Sequence, residues 1–186
     1  MKSMIIATAG LAALLAAPAA QAEGLRAELR TGYDNVSVAG ESSDGVAYGF
    51  AIGYDKNVDE KSFMGFELGY DDSTTRDCVK NLAVAGDRTC IGAGRDLSAL
   101  VRVGYHLTEK SSLYLLGGYT NARVLASYRS ATIRTKSGDN LDGFRVGAGY
   151  QLGISEKIYG KVEYRYSNYE ADFSRHQGMV GLGVKF

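Results

Sequence analysis

The chain contains no tryptophan and a single proline, Pro18, and it has only two cysteines and two histidines among its 186 residues. Each scarcity excludes something. Proline is the residue that cannot donate to a hydrogen-bonded ladder, so long strands are permitted everywhere beyond position 18. Cys78 and Cys90, with eleven residues between them and no histidine nearby, do not make a metal-ligand set. No metal and no cofactor is expected. Basic and acidic residues number 21 each, so no positive field argues for a nucleic-acid partner, and no acidic block marks a disordered tail.

What is abundant is glycine and tyrosine, 24 and 13 residues respectively. Their positions matter more than their number. The amino terminus is read first, because it defines the mature chain. Met1, Lys2 and Ser3 precede an apolar run from Met4 to Ala17, then Pro18 and Ala20-Gln21-Ala22. This is the layout of a signal peptide cleaved after Ala22. The run is shorter than the roughly 20 apolar residues of a membrane-spanning helix. The domain plan is therefore a signal peptide over 1–22 and one domain over 23–186. Lys2 leaves with the signal, so 20 basic residues face 21 acidic ones and the mature charge is −1.

The mature sequence alternates with period 2 rather than 3.6. In the first segment Leu25, Ala27, Leu29, Thr31 and Tyr33 share a face, with Arg26, Glu28 and Arg30 on the other. Val46 to Tyr54, Met64 to Tyr70, Leu97 to Tyr105, Phe144 to Tyr150, Ile158 to Tyr166 and Val180 to Phe186 alternate in the same way. The segment from Leu113 to Asn121 has two apolar faces, because Tyr114 and Leu116 interleave with Leu113, Leu115 and Tyr119; its register is taken from Leu113. Eight segments of about ten residues suit membrane-spanning strands. The aromatics that close the stripes, from Tyr33 to Phe186, are spaced 21, 16, 35, 14, 31, 16 and 20 residues apart. Short connections therefore fall at one end and long ones at the other, as outer-membrane barrels arrange their turns and extracellular loops.

A soluble barrel would turn the apolar stripe inward. Here each stripe ends in an aromatic, which gives two belts suited to membrane–water interfaces. Glycines such as Gly49, Gly69, Gly147 and Gly183 crowd the opposite face, where they leave room for long side chains inside a narrow barrel. The fold expected is all-β, an eight-stranded antiparallel up-and-down transmembrane β-barrel. Its lumen would hold Arg26, Glu28, Arg30, Glu67, Arg102, Arg145, Lys161, Glu163 and Arg165, with Asp34, Asp55, Asp71 and Asp96 near the rims. A barrel this narrow is filled by its own side chains, so a salt-bridged plug is expected, with Arg102 among Glu28, Glu67 and Glu163. A charged conduction path is the alternative.

The last strand, with Val180, Leu182, Val184 and terminal Phe186 on one face, resembles the carboxy-terminal signal read by the outer-membrane assembly machinery. With the signal peptide and the eight-strand layout, the mature chain resembles the small Gram-negative barrels grouped as OmpX-like, the opacity-type surface proteins and the transmembrane domain of OmpA. The resemblance implies a monomeric multi-pass protein of the outer membrane, in contact with its lipid and lipopolysaccharide. The peptidoglycan-binding domain of full-length OmpA proteins is expected to be missing. A structural or surface-interaction role through long extracellular loops, with a host or cell-surface partner, is the leading expectation; a narrow channel comes second and a lipid A-modifying enzyme third.

Other residues invite roles of their own. Cys78 and Cys90 lie in the longest connection, reached through an oxidising periplasm, and are expected to form a disulfide. Arg123, Arg129, Arg134 and Lys136 fall in the third long connection; solvated loop charge is the plain reading, and a contact for lipopolysaccharide phosphates is the sharper one. His106 is expected inside the lumen at the periplasmic end. His176, with Ser174, Asp172 and Glu170 close in sequence, is the residue that would serve an enzyme, but a catalytic set needs convergent geometry that sequence proximity does not supply. No catalytic residue is assigned.

Overall fold

A computed structural model of the chain describes residues 24–38, 40–81, 86–130 and 133–186. The signal-peptide reading of 1–22 lies outside them. Alternation of apolar and polar residues produces antiparallel strands that pair with their chain neighbours: β1 (Leu25–Val38), β2 (Glu41–Asn57), β3 (Ser62–Ser73), β4 (Arg76–Lys80), β5 (Arg88–Thr108), β6 (Ser111–Arg129), β7 (Arg134–Gly153), β8 (Ile158–Tyr169) and β9 (Phe173–Lys185). The last strand returns to the first, with Leu29 opposite Leu182, and β3 pairs directly with β5, which closes the ring. The nine strands form eight staves, because β4 prolongs β3 along the same edge of β5.

The period-2 faces fall where closure needs them. Leu29, Phe50, Leu115 and Leu182 are 48 to 62% exposed on the outside, whereas Arg102 and Arg145 inside are wholly buried. On β6 it is Leu113, Leu115 and Tyr119 that point out and Tyr114 and Leu116 that are buried, so the register taken from Leu113 holds. Several glycines sit beside rings on the next strand. A Cβ on Gly149 would lie 2.4 Å from the Tyr114 ring, and one on Gly183 would lie 2.2 Å from that of Tyr159. These two glycines make room for the cross-strand neighbour, whereas a Cβ on Gly69 would lie 2.3 Å from the guanidinium of Arg30 two strands away, the room for long side chains expected of the lumen face.

The connections differ from the loops expected. Periplasmic turns are short, between Asn57 and Ser62, Thr108 and Ser111, and Gly153 and Ile158. At the other end the long connections are largely strand. β5, β6 and β7 run for 21, 19 and 20 residues, about twice what a bilayer requires. The β1–β2 hairpin pairs as far as Val38 and Glu41 and turns at Gly40, whose φ of +90° suits a residue without a Cβ. The surface offered to the outside is therefore mostly sheet. An extended ladder satisfies its own backbone groups, which a loop of the same length would have to leave to water.

Candidate functional site

The lumen holds one continuous ionic cluster. Arg30 on β1 sits at its centre: its Nε and Nη2 donate to the two oxygens of Asp71 at 2.7 Å each, and Nη1 donates to Glu67 at 2.6 Å and Glu28 at 3.2 Å. Arg26 donates to Glu67 at 2.9 Å, Glu28 at 3.2 Å and Asp55 at 3.1 Å. Across the barrel, Lys161 lies 2.5 Å from Glu28 and 3.0 Å from Glu163. Glu163 also accepts from Arg165 and from the Tyr114 hydroxyl, and Arg165 reaches Asp71 and Glu67. Toward the outside, Asp96 accepts from Arg145 at 2.5 Å, Arg175 at 3.0 Å, Thr120 and Tyr169, while Arg175 forks onto both oxygens of Asp34. The ion pairs join seven cations, Arg26, Arg30, Arg102, Arg145, Lys161, Arg165 and Arg175, to seven carboxylates, those of Asp34, Asp55, Asp71, Asp96, Glu28, Glu67 and Glu163. The cluster is neutral as a whole. Burying charge is tolerable only when partners and hydrogen bonds replace water, and here nearly every carboxylate has several of each.

Apolar groups flank the cluster. Val36, Ala122, Tyr169 and Phe173 pack together at the extracellular end, and Phe63, Leu100, Tyr114 and Leu116 pack toward the periplasmic end. Below them a vestibule of about 350 Å³ opens at the periplasmic mouth, lined among others by Asp55, Phe63, His106, Gln151 and Lys185. Arg30, Arg102, Arg145 and Arg165 are at most 3% exposed. Their guanidinium groups are fully enclosed by neighbouring side chains.

The structure places all nine lumen residues expected from the sequence inside the barrel, with one change of neighbours. Arg102 does not stand among Glu28, Glu67 and Glu163. Its guanidinium lies 3.9 Å from the centre of the Tyr114 ring and 5.2 Å from that of Phe63. It donates to Gln151 at 3.0 Å, and its nearest carboxylate is Asp55 at 3.7 Å. The physical reason is the second apolar face of β6: Tyr114 points inward and puts its own hydroxyl on Glu163, where Arg102 was expected. Arg175 was not foreseen. It shares the inward face of β9 with Met179 and Gly181, in the stretch Ser174 to Gln177 where both faces are polar and period 2 is hidden.

A second feature marks the extracellular rim. Each strand that rises from the periplasmic side carries Tyr-x-Asn or Tyr-x-Asp where its apolar stripe ends: Tyr33 and Asn35, Tyr70 and Asp72, Tyr119 and Asn121, Tyr166 and Asn168. The middle residues, Asp34, Asp71, Thr120 and Ser167, point into the lumen and are wholly buried. Two of these units make identical contacts. Tyr33 and Asn35 both donate to Asp44, and Tyr119 and Asn121 both donate to Asp142. The recurrence is legible in the sequence once the four rising strands are aligned on their closing tyrosines.

The histidines are both held by neighbours. His106 lies at the periplasmic mouth, 2.9 Å from the Ser112 hydroxyl and 3.2 Å from Asn57, with its ring against Phe63. Ser112 is its cross-strand partner, so the contact follows from register alone. His176 is on the outer face, bonded to the Tyr164 hydroxyl at 2.7 Å and beside the Tyr166 ring. Among the described residues, no serine hydroxyl or carboxylate is bonded to it.

Cys78 and Cys90 are joined, S–S 2.11 Å, as directly opposed residues of β4 and β5. Arg123, Arg129, Arg134 and Lys136 lie not in a loop, as expected, but on the paired strands β6 and β7, and are exposed. Val180 and Leu182 face outward, with Val184 and Phe186 half-buried below them; the Phe186 amide donates to the Leu25 carbonyl at 2.9 Å.

A family model described as the outer membrane protein beta-barrel domain matches residues 6–186. No curated protein matches the chain. Among solved structures, Ail, the attachment invasion locus protein of Yersinia pestis, in complex with the heparin analogue sucrose octasulfate, is similar at 20% identity and a TM-score of 0.59, over 88% of this chain and 99% of that one. Neisserial surface protein A gives 17% identity and 0.61, over 88% and 98%. The outer membrane protease OmpT from Escherichia coli gives 8% and 0.50, over 89% and 98%. At these identities the likeness is one of fold.

Proposed function

The chain belongs to the family of outer membrane protein β-barrel domains, and from that premise we propose that it is a closed barrel which presents surface, carrying its extended hairpins into the outside medium for contact with other cells or molecules. The observation that carries this reading is the neutral lumen cluster, seven cations against seven carboxylates with an apolar group at each end. A channel needs a continuous wet path, and ion-paired side chains as deeply buried as these do not favour one. The periplasmic vestibule supports no more than a blind entrance. The outward face, where Leu29, Phe50, Val101, Leu115 and Leu182 are exposed, suits a monomer bathed in lipid.

Attachment has a precedent on this fold in the name of Ail, the attachment invasion locus protein. OmpT sets the opposite precedent, since it is named a protease. An enzyme is the weaker reading for this chain, because His176 contacts two tyrosines on the outer face rather than a nucleophile. Planar-bilayer recording of the refolded protein tests the proposal: a silent membrane is expected, and stable single-channel steps would overturn it. Lipid A from cells with and without the protein should have identical masses.

A further inference from the structure

At the periplasmic mouth, four strands bring four polar side chains to one cavity. His106 on β5 stands opposite Ser112 on β6, and Ser112 stands opposite Gln151 on β7. The three therefore form a row on the inward face, with neighbours about 5 Å apart at Cβ. Asn57, at the end of β2, reaches His106 from a strand that is not its neighbour. All four line the vestibule of about 350 Å³. Register explains why His106 touches Ser112. It does not explain the amide that stands on either side of the pair.

The hydrogen bonds of this row run in one direction. Asn57 presents its side-chain oxygen to His106 Nε2 at 3.2 Å, so that nitrogen carries the ring hydrogen and Nδ1 is left bare to accept from the Ser112 hydroxyl at 2.9 Å. The Phe63 ring, 5.1 Å from that of His106, and the bond from the His106 amide to the Lys61 carbonyl hold the imidazole in place. On the other side of Ser112, Arg102 donates to Gln151 Oε1 at 3.0 Å. A guanidinium has no acceptor, so the atom that faces it is the oxygen. The Gln151 NH2 group is left for the vestibule and has no acceptor among the described residues.

We propose that this row hydrolyses small carboxylic esters that enter from the periplasm, with Ser112 as nucleophile, His106 as general base and Gln151 as donor to the oxyanion. Ser112 Oγ attacks the carbonyl carbon, and its proton passes to His106 Nδ1. The carbonyl π pair moves onto oxygen, where Gln151 Nε2 donates to it. The bond from carbon to the alcohol oxygen then breaks, and the alcohol leaves with the proton held by His106. Water repeats the sequence on the acyl-serine: it gives a proton to Nδ1, its oxygen bonds to the carbonyl carbon, and Ser112 leaves as the hydroxyl, releasing the acid. Asn57 is a positioning residue that keeps the ring hydrogen on Nε2. As an amide it stabilises the imidazolium less than a carboxylate would, and an alcohol leaves more readily than an amine, so the substrate class is ester rather than amide. The cavity is at the small end for ligand sites, and Phe63 and Tyr54 give it an apolar side for a short acyl group. The row lies below the ionic cluster and does not involve His176, so this inference and the closed-barrel reading fail separately.

The test incubates the mature protein, folded in detergent, with 4-nitrophenyl acetate, following nitrophenolate by absorbance and the acetylated position by peptide mass. A burst of nitrophenolate with acetyl on Ser112, followed by steady turnover, is expected. Ser112→Ala should remove both the burst and the turnover. Gln151→Met should lower kcat by about a hundredfold or more, the scale for one lost oxyanion donor. Asn57→Leu should lower kcat and leave KM unchanged, and Asn57→Asp should restore kcat, which a merely structural role for Asn57 would not give. Urea midpoints of the variants show that each is folded, and the position of the acetyl group on the wild-type protein decides even where a variant does not fold. Acetyl spread over lysines and absent from Ser112 would overturn the proposal. So would turnover that Ser112→Ala retains, or a folded wild-type protein that hydrolyses no faster than buffer.

Discussion

At the scale of single residues, the lumen separates two arginines that the sequence alone makes look alike. Arg30 and Arg102 are both inward, wholly or almost wholly buried and near mid-strand. Arg30 is bonded to three carboxylates, and its loss leaves all three short of a partner. Arg30→Ala should therefore cost about 3 to 5 kcal/mol, the range for breaking one side of a buried ion pair. Arg102 has ring contacts, one amide and one carboxylate at 3.7 Å. Arg102→Ala should cost only about 1 to 2 kcal/mol, the scale of a desolvated cation–π contact. Urea midpoints of the two variants in detergent check the order. If Arg102→Ala is the more damaging, the assignment of the central cation is wrong. Which side chains face inward was legible from period 2; which of them pair was not, because pairing depends on Tyr114 and on distances across the ring.

At the scale of elements, strands are legible in the sequence where alternation is strict and hidden where both faces are polar. The staves, their register and the side that carries the short turns follow from the stripes and their closing aromatics. The extended hairpins are not legible as strand, because Ser, Thr, Asp and Gly are frequent between Arg123 and Gly143 and polar residues on both faces of a strand outside the membrane hide its period. Arg175 was missed for the same reason. The short turns themselves carry local chemistry. Asp59 accepts the amides of Lys61 and Ser62 at 2.8 Å each, and these two bonds hold its carboxyl below the usual carboxylate range. A carboxyl whose pKa is lowered by folding contributes stability that is present above its unfolded value and lost as the pH falls through its folded one. Asp59→Asn should lower the denaturation midpoint near neutral pH, and the difference from wild type should vanish in acid. A gap that persists unchanged at low pH would show that the turn owes nothing to the charge.

At the scale of the whole molecule, three zones follow one another from the inside out: a neutral ionic core, a wall of strands, and an apolar girdle bounded by aromatics. Each depends on the next. The core needs the wall to exclude water, and the wall needs the girdle to place it in lipid. Phe186 joins the last strand to the first through its amide and Leu25, and it completes the outward row of Val180, Leu182 and Val184. Deletion of Phe186 should reduce surface levels and raise the periplasmic pool of unassembled protein, seen by fractionation and surface labelling; unchanged surface levels would show that the assembly signal lies elsewhere. The central claim is that water does not pass through the core, and thiol labelling tests it most directly. Ser98 is 5% exposed, and its hydroxyl has no partner within the lumen, so Ser98→Cys is a small change at a deep position. In nanodiscs, a small charged maleimide should modify Asn35→Cys at the outer rim and Lys185→Cys at the periplasmic vestibule within minutes, and should leave Ser98→Cys unmodified until the protein is unfolded. Labelling of Ser98→Cys in the folded protein at the rate of the two rim positions would contradict a closed lumen.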